Sequence, residues 1–139
     1  MKFQSTDAGR GAVKERNDCT VCAIASATDT PYQDVHTMLK DAGRKDGHRF
    51  KFISWSESNP YVFGYRMKNI PLPVSVPNTL NQVTKLLPST GRYIIRVRGR
   101  NGGHVFAYVN GVMLDKYPEP PKRRVLQIWK LEKNSEIFS

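Results

Sequence analysis

The chain has 139 residues, enough for one compact domain with a real core and too few for two. Lys and Arg number 22 against 12 Asp and Glu, and the formal net charge of +10 favours phosphate backbones, anionic surfaces or acidic proteins as partners. A hydrophobic content of 39% argues against disorder, no apolar run has the length of a membrane span, and two cysteines exclude a disulfide framework. The N-terminus carries no apolar secretory core, so the expectation is a cytoplasmic, reduced protein with no membrane association.

Residues 1–16 are polar and contain Gly9 and Gly11, which reads as a loosely ordered arm. Asn17-Asp18-Cys19 then opens a small-residue helix from Cys19 to about Thr28, with Asn17 and Asp18 both good N-caps. A thiol at that position feels the unpaired N–H groups and the positive end of the helix dipole, which favour the nucleophilic thiolate. Cys22, three residues on, reads as a small buried core residue. Thr30-Pro31-Tyr32-Gln33 predicts a second helix with Thr30 as N-cap, a capping box closed by Gln33, and Gly43 as the stop. Tyr32, Val35, Met38, Leu39 and Ala42 form its apolar stripe, and His36 falls off that stripe onto the surface.

Arg44 to Ile53 is charged and reads as a loop; His48 within it has no carboxylate geometry to make it a base. A short strand is expected around Tyr61 to Tyr65. The proline-punctuated run from Ile70 to Pro77 excludes a central strand and suggests a cleft wall, together with Trp55 and Tyr61. Thr79-Leu80-Asn81-Gln82 repeats the capping box, with Leu80, Val83, Leu86 and Leu87 inward and Pro88 ending the helix.

Strands follow at Arg92 to Arg98, His104 to Val109 and Val112 to Tyr117, with Arg98 to Gly103 as a mobile turn. After the break at Pro118 to Pro121 comes a further strand from Arg124 to Leu131, and a polar tail spans 132–139. Asn110-Gly111 between alternating apolar runs predicts a two-residue type I′ hairpin. In that register Val109 faces Val112, and His104, Phe106, Tyr108, Met113, Asp115 and Tyr117 share one face. Val105, Ala107, Val109, Val112 and Leu114 take the other, expected to be the core side. His104 and Asp115 become diagonal neighbours, roughly 7–8 Å apart at the backbone. A carboxylate can therefore hold one ring nitrogen of His104 and leave the other for Cys19, the nucleophile–base–orienter arrangement of acyl transfer. The bland alternative is that both residues are simply solvated at strand ends.

These elements resemble the papain-like cysteine peptidase superfamily. The resemblance lies in the order Cys, His, Asp, with the Cys opening a helix and the other two on a hairpin. Asp18-Cys19, Gly91-Arg92-Tyr93-Ile94-Ile95, Gly103-His104 and Asn110-Gly111 to Asp115 look most like the bacteriocin-processing branch and short bacteriophage-encoded members. The resemblance covers about residues 15 to 117. It implies an α+β papain-like fold over 1–139, with a nucleophile helix packed on a C-terminal antiparallel sheet. It also implies a bacteriophage origin, hence the host cytoplasm, and hydrolysis of an amide or peptide bond by Cys19, His104 and Asp115 without metal or organic cofactor. One departure stands out. Such enzymes place a Gln five or six residues before the nucleophile, whereas Val13 and Lys14 stand there in this chain. The Cys19 N–H and the Asn17 amide would then form the oxyanion hole; Asn17 also reads as an ordinary turn residue.

Two other function classes remain. Cys19-Thr20-Val21-Cys22 has the spacing of a redox dithiol, but the strand that should precede it is missing, and zinc would need two further ligands. The second is a catalytically weak papain-like module that binds a host protein or nucleic acid. Its basic surface would comprise Arg92, Arg96, Arg98, Arg100, Lys122, Arg123 and Arg124, with an acidic partner protein or non-specific nucleic acid as the occupant.

Overall fold

The computed structural model describes residues 2–11, 15–99 and 102–134. Val13, Lys14 and Arg100 lie outside the described residues, as does the tail beyond Asn134. The architecture is α+β: four helices on a seven-stranded mixed sheet.

The first surprise is in the arm, where Lys2–Ser5 forms a strand, β1, instead of a loose lead-in. Helix α1 runs Cys19–Thr28, α2 Tyr32–Asp41 and α3 Phe52–Ser58. They are followed by β2 (Tyr61–Val62), β3 (Tyr65–Ile70), α4 (Leu80–Leu86), β4 (Arg92–Gly99), β5 (Gly102–Val109), β6 (Val112–Asp115) and β7 (Val125–Lys133). The strand order is β1-β6-β5-β4-β7-β3-β2. Because β1 pairs parallel with β6, Lys2 opposite Val112 through Ser5 opposite Asp115, the sheet is mixed where an antiparallel one was expected.

Helix α1 starts where the sequence places it, yet Asp18 does not cap it. The Asp18 carboxylate turns inward instead, accepting from the Tyr32 hydroxyl at 2.9 Å and from Arg10 at 3.4 Å. Helix α2 has Pro31, not Thr30, at its N-cap; the Thr30 hydroxyl is spent on Thr28 at 2.7 Å. Its stripe is buried at Tyr32, Val35 and Leu39, whereas Ala42 is exposed. His36, expected on the surface, is buried. At α4 the Thr79 hydroxyl does accept from the Gln82 N–H, at 3.4 Å. Leu86 points outward, however, and is 53% exposed.

Helix α3 overlaps the expected loop only at Phe52 and Ile53 and runs on to Ser58, where no helix is expected. It has no capping side chain, and packing holds it: Phe52 meets Trp129 edge-on with centroids 4.7 Å apart. Strand β7 continues through Glu132 and Lys133, paired with Arg66 and Tyr65, so the polar tail begins later than its composition suggests.

Both faces of the sheet are covered. Val21, Ile24 and Ala25 of α1 with Val35 and Leu39 of α2 bury one face, against Ile94, Val105, Ala107 and Trp129. Leu80 and Val83 of α4 bury the other, against Ile95, Val97, Phe106, Tyr108, Met113 and Ile128. The stripe holding His104 and Asp115 is therefore as much core as its opposite. The two polar residues stand at its open end.

Candidate active site

The hairpin register is the expected one: Val109 pairs with Val112 and Ala107 with Leu114. Asn110 and Gly111 have φ of +50° and +78°, the left-handed pair that a type I′ turn requires. Strand β6 ends at Asp115, short of the expected Tyr117, which is exposed. The register brings Asp115 Oδ2 to 2.6 Å from His104 Nε2. With Nε2 committed to the carboxylate, Nδ1 is the nitrogen left for the thiol. Glu119, which sequence reasoning missed, adds a second carboxylate, with Oε1 3.8 Å from Nε2 and Oε2 held by Arg123 Nε at 3.1 Å.

Cys19, the first residue of α1, lines the same cavity as His104, and each favours the charged form of the other. Strand β6 pairs with β5 only from Ala107 onward, which leaves the upstream edge of β5 without a strand on that side. The Val105 N–H lies on that edge and favours the thiolate form of Cys19. Burial works against the thiolate, but His104, the Val105 N–H and the Thr20 hydroxyl outweigh it, and the Cys19 pKa falls below its ordinary 9.0. Burial likewise opposes the charged form of His104. The hydrogen bonds to Asp115 and Cys19, reinforced by their charges, overcome this and raise the His104 pKa to about 10. Both shifts favour the charged forms, thiolate on Cys19 and imidazolium on His104.

Cys22 behaves in the opposite way. Burial and the nearby Asp18 carboxylate push its thiol up to about 12. Both cysteines are free thiols. One helical turn thus separates an activated sulfur from a suppressed one.

Asn17 stands at the mouth of the site in the left-handed region, φ +54°. Its Nδ2 donates to the Gly47 carbonyl at 2.8 Å, which leaves the second amide hydrogen uncommitted to that bond. The Cys19 N–H, in the first turn of α1, has no intrahelical acceptor. A buried ion network unseen in the sequence holds this loop. Glu15 Oε2 binds His36 Nε2 at 2.9 Å and Arg44 Nη1 at 3.2 Å, while Oε1 accepts from the N–H groups of Gly47 at 2.6 Å and Arg16 at 3.0 Å. Arg44 reaches on to the carbonyls of Arg16 and Asn17 at 3.3 and 3.4 Å. Burial opposes charge on Glu15, yet these donors pull its pKa from 4.5 down to about 2. The signal was the spacing Glu15, His36, Arg44, which has no local motif.

Two cavities meet at Cys19. One, of about 410 Å³, is walled by Phe50, Phe52, Ile53 and Val105 with Arg49 and Arg96. The other, of about 400 Å³, carries His104, Asp115, Glu119 and Lys116. The walls expected from Trp55, Tyr61 and Pro71–Pro77 line neither; the segment from Arg49 to Ser54 takes that place.

The expected basic surface is divided. Arg92, at the far end of β4, is paired with Asp29 at 2.6 Å and with the Ala27 carbonyl at 3.1 Å. Arg96 lines the cleft, Arg123 is tied to Glu119, and Arg98, Lys122 and Arg124 are exposed. Among the described residues no helix is long and apolar enough to cross a membrane. No family model matches the chain, and neither does any curated protein or solved structure.

Proposed function

We propose that the chain is a cysteine hydrolase of papain-like arrangement that cleaves an amide or peptide bond. The observation that carries this reading is the 2.6 Å bond from Asp115 to His104 Nε2, which turns the other face of the ring to a thiol at the start of a helix. The Cys19 thiolate attacks the carbonyl carbon, and the developing oxyanion is met by the Cys19 N–H and the free Asn17 amide hydrogen. His104 gives its proton to the leaving amine, the C–N bond breaks, and a thioester remains on Cys19. His104, now neutral, takes a proton from water. The resulting hydroxide adds to the thioester, the C–S bond breaks, and the acid product leaves with thiolate and imidazolium restored. Asp115 keeps its charge throughout and stabilises the imidazolium.

The test is site-resolved alkylation by iodoacetamide at pH 7, read by mass spectrometry. Cys19 is modified rapidly and Cys22 is not; His104→Ala slows Cys19 to the rate of an ordinary thiol. Equal rates at the two cysteines, or a Cys19 rate indifferent to His104→Ala, would overturn the assignment.

A further inference from the structure

The cleft beside Cys19 carries a charge that the acyl-transfer chemistry does not use. Arg96 sits on β4 opposite Val105 of β5, and its guanidinium reaches across to the bare Cα of Gly103. A Cβ on Gly103 would lie 2.6 Å from the Arg96 Cζ and Nη2, so the absent side chain is what admits the guanidinium. The one side-chain hydrogen bond that Arg96 makes among the described residues is to the neutral Gln127 Oε1, at 3.3 Å. Arg49 approaches the same dipeptide from the loop side. Its Nη1 donates to the Gly103 carbonyl at 3.4 Å, and a Cβ on Gly102 would stand 3.1 Å from it.

Two guanidinium groups thus bracket Gly102-Gly103, directly before the catalytic histidine, and both line the cavity that holds Cys19. Glu57, the one carboxylate lining that cavity, forms an ion pair with neither among the described residues. A guanidinium fork in a partly dry cleft recognises a carboxylate bidentately. The apolar wall of Phe50, Phe52 and Ile53 covers the stem of whatever reaches it.

We infer that the substrate presents a carboxylate, an Asp or Glu side chain or a chain end, on the α3 side of the scissile bond, and that Arg96 and Arg49 select it. The inference rests on the reading of Cys19 as the nucleophile. It accounts for two arginines at the cleft that have no acidic partner among the described residues, in a protein whose Arg92 and Arg123 do have them.

The experiment uses peptidyl vinyl sulfones extended on either side of the electrophile, with Glu or Gln at one position at a time, and follows the rate of Cys19 modification. A parallel pair ends in a free carboxylate or its amide, which separates a chain end from a side chain. At one position the acidic probe reacts about tenfold faster than its neutral twin. That ratio falls towards one in Arg96→Gln, is reduced in Arg49→Gln, and is retained in part in Arg96→Lys. Because each ratio is taken within one protein, a general change in thiol reactivity cancels. Arg49→Gln alters an exposed side chain and serves if Arg96→Gln does not fold. Ratios within twofold of one at every position, or a preference unchanged in both glutamine variants, overturn the inference. If iodoacetamide selects Cys19 while these ratios stay flat, acid selection alone falls; if iodoacetamide does not select Cys19, the hydrolase reading falls and takes this inference with it.

Discussion

The Arg96 guanidinium occupies the space where a side chain on Gly103 would stand, with Cζ and Nη2 both 2.6 Å from an ideal Cβ. Gly103→Ala therefore displaces the end of a flexible side chain and not a strand. The expected cost is about 1 kcal/mol or less in urea denaturation. The same variant is expected to lose most of the preference for acidic probes, because Arg96 no longer rests beside the nucleophile.

The opposed shifts of Cys19 and His104 predict an unusual pH profile of stability. Taken alone, His104 contributes stability that is fully present below its unfolded value of 6.5 and lost as pH rises through about 10. Cys19 contributes stability present above its unfolded 9.0 and lost as pH falls through its lowered folded value. Just below 9.0, above both 6.5 and the lowered Cys19 value, the folded pair holds one proton, on His104, and the unfolded pair also holds one, on Cys19. The pair's contribution is accordingly flat just below pH 9.0 and falls as pH rises from 9.0 through about 10. Urea midpoints of wild type and of the double variant Cys19→Ala/His104→Ala, measured from pH 5 to 10.5, isolate this as their difference. A difference that does not fall between pH 9.0 and 10.5 contradicts the ion pair.

Asp115→Asn keeps the shape of the orienting side chain and removes the charge that holds His104 protonated. Acylation is expected to slow by about 10²-fold or more, with the His104 pKa falling towards its ordinary value. Single-turnover rates and the ring-proton NMR shifts of His104 check the two effects separately. Asp115→Ala should behave alike.

Glu15 is the hub of the loop that carries Asn17. Its depressed pKa means that its contribution is present above pH 4.5 and lost as pH falls through about 2. Glu15→Gln should flatten the acid limb of stability in that range. Arg44→Met leaves Glu15 with less compensation in a buried site and is expected to cost about 3 kcal/mol. Denaturation at pH 7 measures it. If both variants match wild type at every pH, the network does not hold the loop.

The amino-acid sequence by itself determined the local chemistry. Asn110-Gly111 can close only a tight turn, and period-two alternation then obliges His104 and Asp115 onto one face, so their pairing was legible from twelve residues. The small-residue run after Cys19 likewise set the helix start. Tertiary structure decided everything that depends on a distant partner. The arm at Lys2–Ser5 becomes a strand because the β6 edge offers it backbone hydrogen bonds, which no property of its own polar side chains reveals. Helix α3 exists because Trp129 receives Phe52, with no cap to announce it. His36 is buried because Glu15 and Asp46 close over it from two other segments, at 2.9 and 3.2 Å. Arg96 enters the cleft only because β4 and β5 set it beside a glycine. Turns and periodicity act over a few residues and are written in them; ion networks and edge pairings are agreements between segments that meet only after folding.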